Sequence, residues 1–225
     1  MKILLADTSS SVCITALSDE NGIICENSLD NGRTHSENFM PLLEKTLKDT
    51  STSLDDIDYI ATVAGPGSFT GIRIGIASIK ALAEVKNKRI ISIDSLTSLA
   101  GNENKTDKNF ICSLIDARND QVYVGLFDKE LNRQEELMAD DINIVLDKIK
   151  NYNNICFVGN GAILHKEKIE KTFEGKNISF SENNKQSAYG LWIAAIKKLE
   201  NQDTLTADEL VPLYLRKSQA ERLKK

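Results

Sequence analysis

The stretch Tyr59–Ile93, YIATVAGPGSFTGIRIGIASIKALAEVKNKRIISI, decides the fold. Tyr59 to Ala64 is a continuous apolar run that reads as a buried strand. Gly65-Pro66-Gly67 breaks it, and a helix is expected from Thr70 to about Val85, with Ile72, Ile74, Ile76, Ile79, Leu82 and Val85 as its apolar residues. Ile90 to Ile93 is then a second short buried strand. Strand, glycine break, helix and strand make a βαβ unit, which implies a parallel sheet.

Upstream, residues 2–6, 12–17 and 22–29 read as three strands separated by polar turns, with Asn21-Gly22 suited to a hairpin. Thr34 and Glu37 have the spacing of a capping box ahead of Phe39, Leu42, Leu43 and Leu47, so a helix is expected over about 35–48. Pro41 should bend that helix or delay its regular start. Downstream, the pattern repeats. Leu4–Asp19 overlays Ser113–Asp128 without gaps, with Asp7 on Asp116 and Leu17 on Leu126, and Ala61–Gly67 overlays Ile155–Gly161. The polar stretch Gly101–Asn109 reads as a linker. Two duplicated α/β lobes are therefore expected, over 1–105 and 106–225, with the terminal helix packing back on the first lobe.

The 225 residues carry 28 Lys plus Arg against 33 Asp plus Glu, a formal charge of −5, with 41% hydrophobic residues. These are globular values, and the acidic balance argues against a nucleic-acid binder working through bulk charge. No apolar run approaches the ~20 residues of a spanning helix, so a soluble cytoplasmic protein without membrane contact is expected. Cys13, Cys25, Cys112 and Cys156 are widely spaced and read as buried small hydrophobes. The only histidines are His35, in the first turn of a helix, and His165, in the Lys/Glu-rich stretch His165–Lys171 that reads as an exposed face. No metal site and no hydrolase triad can be assembled from them, and no Gly-x-Ser-x-Gly elbow is present.

Two stretches could carry function. Asp7-Thr8-Ser9, at the end of a strand and before a hairpin, has the form of an actin-like phosphate loop, although Ser9 stands where close backbone approach favours glycine. The helix after Gly65–Gly67 is apolar nearly all round, and Gly71, Gly75, Ala77 and Ala81 are small residues at four-residue spacing, which lets another helix approach closely. Its surplus apolar surface belongs to deep core or to a second protein; Phe39, Met40 and Leu43 could extend such a patch. Gly71-Ile72-Arg73 replaces the Gly-Lys-Ser/Thr of a P-loop. The tail Arg216–Lys225 is basic and could touch a phosphate backbone.

LADTSS at Leu5–Ser10, VAGPGSFTGIRIG at Val63–Gly75, LIDARNDQVY at Leu114–Tyr123 and VPLYLR at Val211–Arg216 together resemble the TsaB family, also called YeaZ. The resemblance implies two actin/Hsp70-like (ASKHA, RNase H-like) lobes with mixed sheets. It also implies a non-catalytic scaffold subunit, with no cofactor, of the complex that transfers threonylcarbamoyl to N6 of an adenosine beside the tRNA anticodon. The partners implied are TsaD, which carries the chemistry, and TsaE, an ATPase; tRNA is met only through the complex. Ser95 and Leu99 fall where TsaD has two histidine ligands, and neither can hold a metal.

On this resemblance the TsaD-binding residues are His35, Phe39, Met40 and Leu43 on one helix. Gly67, Ser68, Phe69, Thr70, Gly71, Arg73, Ile74, Gly75, Ile76, Ser78, Ile79 and Leu82 follow on the other. The same surface could form a homodimer when the chain is isolated. Substituting Gly75 or Ile76 is expected to block association without unfolding the chain. Asp7, Thr8 and Ser9 are weak nucleotide-binding candidates, and the alternative activity is an actin-like ATP-dependent phosphotransferase built on Asp7 and Asp116.

Overall fold

Strand β1 (Ile3–Asp7) is buried at every position because both faces of its sheet are covered. Leu4 and Ala6 point into one core, Ile3 and Leu5 into another, which is why this strand reads as an apolar run with no alternation. β2 (Cys13–Ser18) pairs with it antiparallel, and β3 (Ile23–Leu29) pairs with β2 at the sheet edge, where burial alternates residue by residue. β4 (Tyr59–Gly65) and β5 (Arg89–Asp94) extend the sheet in parallel on the other side of β1. The order is β3-β2-β1-β4-β5. The computed structural model describes residues 1–30 and 34–216; the basic tail beyond Arg216 lies outside the described residues.

Helices α1 (His35–Asp49) and α2 (Phe69–Lys86) cover one face of this sheet through Phe39, Leu42, Leu43, Ile72, Ile76 and Ile79. Thr34 sits at the N-cap of α1, but its side chain does not cap. Its hydroxyl pairs with Ser36 Oγ at 2.9 Å, so the capping box read from Thr34 and Glu37 is corrected. Pro41, exposed, lies inside the helix without ending it. α2 has a working cap: Ser68 Oγ accepts from the Gly71 amide at 3.2 Å. It ends on Asn87 in the left-handed conformation, whose amide donates to the carbonyls of Ala83 and Glu84.

The short helix α3 (Ser95–Gly101) follows β5 directly. The second sheet is built from β6 (Phe110–Asp116), β7 (Gln121–Asp128), β8 (Met138–Asp141), β9 (Ile155–Val158) and β10 (Ile178–Phe180). α4 (Ile142–Ile149), α5 (Asn160–Leu164) and α6 (Lys166–Thr172) are interleaved among these strands, and α7 (Ala188–Glu200) follows them. The order β8-β7-β6-β9-β10 repeats the strand order of the first sheet, so the duplicated α/β fold is present. Its core is lined by Ile142, Val145, Leu146 and Ile149 of α4 packing on Leu114, Val124 and Phe157.

Gapless overlay holds for the first strand of each hairpin and slips by one in the second. Asp7 pairs with Ile14, whereas Asp116 pairs with Val122, one residue sooner. Arg118, Asn119 and Asp120, all at positive φ, make the tighter turn. Leu17 therefore corresponds to Gly125, not to Leu126.

The chain divides into two compact units: Met1–Ser98 with Gln186–Leu213, and Leu99–Lys185 with the chain from Tyr214. The first boundary precedes the polar stretch Gly101–Asn109, and the segment after Lys185 belongs to the first unit. There α7 lays Ala188, Leu191, Ala194 and Ala195, one helical face, on the sheet face opposite α1 and α2. The strap after it pairs Ile90 with Leu205, sends the Leu213 amide to Ala64 O at 2.8 Å, and buries Ala207 and Leu210 beside α2.

Candidate functional site

The β1–β2 turn, where an actin-like phosphate loop would lie, is closed. Thr8 Oγ1 donates to Gly71 O at 2.8 Å, and the Ser68 amide donates to Ser9 O at 2.7 Å. His35, at the start of α1, places Nε2 2.7 Å from Ser10 O. The Ser9 amide, which would have to face an anion, donates instead to Asp7 Oδ1 at 2.7 Å. Two of the turn's carbonyls, Ser9 O and Ser10 O, are thus turned toward α1 and α2, and carbonyls repel phosphate. Asp7, Thr8 and Ser9 are all buried. Burial pushes the Asp7 carboxyl above the usual carboxylate range. Asp7, Thr8 and Ser9, the residues of the expected nucleotide loop, are thus held against the chain's own α1 and α2.

The same geometry explains the glycines. A Cβ on Gly71 would overlap Thr8 O, one on Gly75 would overlap Thr8 Oγ1, and one on Gly67 would overlap Ser9 O. Gly71 and Gly75 are therefore notches for the chain's own turn, not for a docking helix. Arg at position 75 or Glu at buried Ile76 would disrupt the fold itself, so neither substitution isolates an interface.

Of the other residues expected at a partner surface, Phe39, Leu43 and Ile79 are also in the core, packed against the sheet. His35, Gly67, Phe69, Ile74, Ser78 and Leu82 are half-buried, while Met40, Ser68, Thr70 and Arg73 are exposed. The Arg73 guanidinium lies 4.0 Å from the centre of the Phe69 ring. What α2 offers outward is a stripe at Thr70, Arg73, Ile74, Ala77, Ser78, Ala81 and Val85. Val85 is 79% exposed, and Met40 on α1 is 45% exposed. Ala77, Ala81 and Val85 continue this stripe at four-residue spacing. The remaining flank is covered by the strap: Leu210 packs against α2, and Lys80 Nζ donates to Leu210 O at 3.2 Å.

In the second unit Asp116 Oδ1 accepts from the Arg118 amide at 2.8 Å, repeating the Asp7–Ser9 bond, and the Asp116 amide donates to Asn160 Oδ1. Arg216 Nη1 donates to Ala117 O at 2.8 Å. His165 is buried at the α5–α6 junction, not exposed as its charged neighbours suggested. In the first unit Ser95 donates to Pro66 O from the start of α3.

Two lobes on one repeated strand order, each with an aspartate closing the first strand, define an actin-like protein. Comparison with known proteins agrees. The family model described as TsaD: tRNA N6-adenosine threonylcarbamoyltransferase matches residues 14–223. The "tRNA threonylcarbamoyladenosine biosynthesis protein TsaB" of Bacillus subtilis is 30% identical, over 98% of this chain and 96% of its own length. A solved structure of YeaZ from Pseudomonas aeruginosa superposes with a TM-score of 0.77 at 21% identity, covering 95% of this chain and 99% of that one. A ROK hexokinase from Thermus thermophilus shares the fold at a TM-score of 0.53 and 11% identity, over 89% of this chain and all of the hexokinase chain. The chain belongs to the TsaB (YeaZ) family.

No helix among the described residues is long and apolar enough to cross a membrane.

Proposed function

We propose that this chain is a non-catalytic subunit in the synthesis of N6-threonylcarbamoyladenosine in tRNA, where it binds and activates TsaD through the outward face of α1 and α2. The observation that carries this reading is the α2 stripe. A helix sealed by its sheet on one side and by the strap on another still exposes Ala77, Ala81 and Val85, in line with half-buried Ile74. Small residues in such a row allow another helix to approach closely, and apolar ones reward it. The closed Asp7 turn supports leaving the transfer chemistry to the partner. TsaE would join the assembled pair, tRNA would be met only through the complex, and the isolated chain would pair with itself through the same face. The unit of Met1–Ser98 with Gln186–Leu213 is, in this reading, the interface unit, and that of Leu99–Lys185 the supporting one.

Ala77→Arg and Ala81→Arg, both at exposed positions, test it. Each should abolish capture of TsaD and modification in a reconstituted system while leaving the thermal transition in place. Normal capture and normal modification by both would reject the reading. The phosphotransferase alternative requires ATP to bind the isolated chain by calorimetry and to be lost in Asp7→Ala.

A further inference from the structure

The α2 stripe is narrow for a docking face. Its exposed apolar side chains are Ala77, Ala81 and Val85, beside half-buried Ile74, and each alanine offers one methyl group. A specific interface covers roughly 800 Å² on each partner. Met40 and Pro41, both exposed, widen the face on the α1 side. The strap borders the other flank of α2, and there burial changes abruptly from one residue to the next. Leu210 is 1% exposed, whereas Val211 is 64% exposed. Leu210 and Leu213 join the first core; Val211 does not.

Val211 is nevertheless held from both ends. Lys80 Nζ donates to Leu210 O at 3.2 Å and to Asp208 O at 3.4 Å, and the Leu213 amide donates to Ala64 O at 2.8 Å. Pro212 fixes its own φ and disfavours helical backbone at Val211. An apolar side chain left in water adds little to the fold. On chain that is already ordered, though, it loses little entropy when something covers it. Lys80 also sets where Val211 stands. Residues three and four apart on a helix lie side by side, so Lys80 neighbours Ala77 and Glu84. The carbonyl that Lys80 holds is bonded directly to the Val211 nitrogen. The outer edge of the strap and the α2 stripe therefore adjoin.

We infer that the docking face is composite: the TsaD surface that meets the α2 stripe also covers Val211 and Pro212 of the strap. The inference rests on the docking of α2 proposed above and extends it to a segment that belongs to no helix or strand. Continuity with the stripe, and the area that the stripe lacks, single out the same partner for both. The strap then does two things in one short run: Leu210 closes the core behind α2, and Val211 faces the partner beside it.

The test is calorimetry of purified TsaD with the full chain, comparing Val211→Asp, Ala81→Arg and the parent. Val211 is exposed, so Val211→Asp should keep the thermal transition of the parent while weakening the complex roughly tenfold or more. Hydrogen exchange on the unaltered chain gives a second measurement, free of any substitution. Adding TsaD should slow exchange in peptides spanning 208–214 as well as in those spanning 74–86. Loss of binding in Ala81→Arg with parental binding in Val211→Asp overturns the composite face and leaves the docking of α2 intact. Parental binding in both overturns the docking of α2 and the inference with it. A Val211→Asp chain that binds TsaD normally but no longer pairs with itself assigns the strap to a second copy of this chain, and this too overturns the inference. Slowed exchange in 74–86 with none in 208–214 does the same.

Discussion

Thr8 Oγ1 donates to Gly71 O at 2.8 Å across 63 positions, tying the end of the first strand to the first turn of the second helix. Thr8→Val removes that bond from a buried site and should cost about 1 kcal/mol in denaturant unfolding. Gly75→Ala forces a methyl against the same hydroxyl and should cost about 1–3 kcal/mol. With Thr8→Ala in the background the Gly75→Ala penalty should shrink. A double-mutant cycle with additive energies would disprove the contact.

Adjacent positions on α2 should behave oppositely. Ile76 is buried in the core, and Ile76→Ala should lose about 2–5 kcal/mol. Ala77 is exposed, so Ala77→Glu should stay within about 0.5 kcal/mol of the parent. Chemical denaturation of the two variants checks this, and similar losses in both would mean that the assigned faces of α2 are wrong.

How much of this was legible beforehand depends on what each residue type encodes. Strand, glycine break and helix over Tyr59–Ile93 came through because apolar runs and glycine breaks act locally. The repeat came through for the same reason. The inward turn of Gly71 and Gly75 did not. A glycine row signals close approach without saying to what, and Thr8, the answer, lies far away in sequence. His165 was misread because its Lys and Glu neighbours are exposed while its own position faces in. The strap was missed too: Ala207, Leu210 and Leu213 form no regular element, so no periodicity marks them.

Thiol chemistry offers a third check. Burial pushes Cys13 and Cys156 up to about 11, and Cys112 higher still, so all three remain neutral at pH 8. Cys25, on the edge strand, is half-buried. Native protein should alkylate first at Cys25, read by peptide mass spectrometry, with the other three reacting only on unfolding. Early labelling of Cys112 would contradict the sealed second core.

Leu210→Ala should destabilise the first unit by about 2–4 kcal/mol, since Leu210 is 1% exposed against α2. Trp192 lies in the same unit and donates to Asp19 O at 2.8 Å. Its fluorescence is the readout, and an unchanged midpoint would remove the strap from the core.

Because Gln186–Leu213 completes a unit begun at Met1, synthesis on the ribosome has an enforced order. Everything through Lys185 emerges while the β1 sheet still lacks the helix that shields its second face, exposing Ile3, Leu5, Ile91 and Ile93. A nascent chain stalled before residue 186 should therefore attract chaperones on that bare surface, and release of the final segment should end the association.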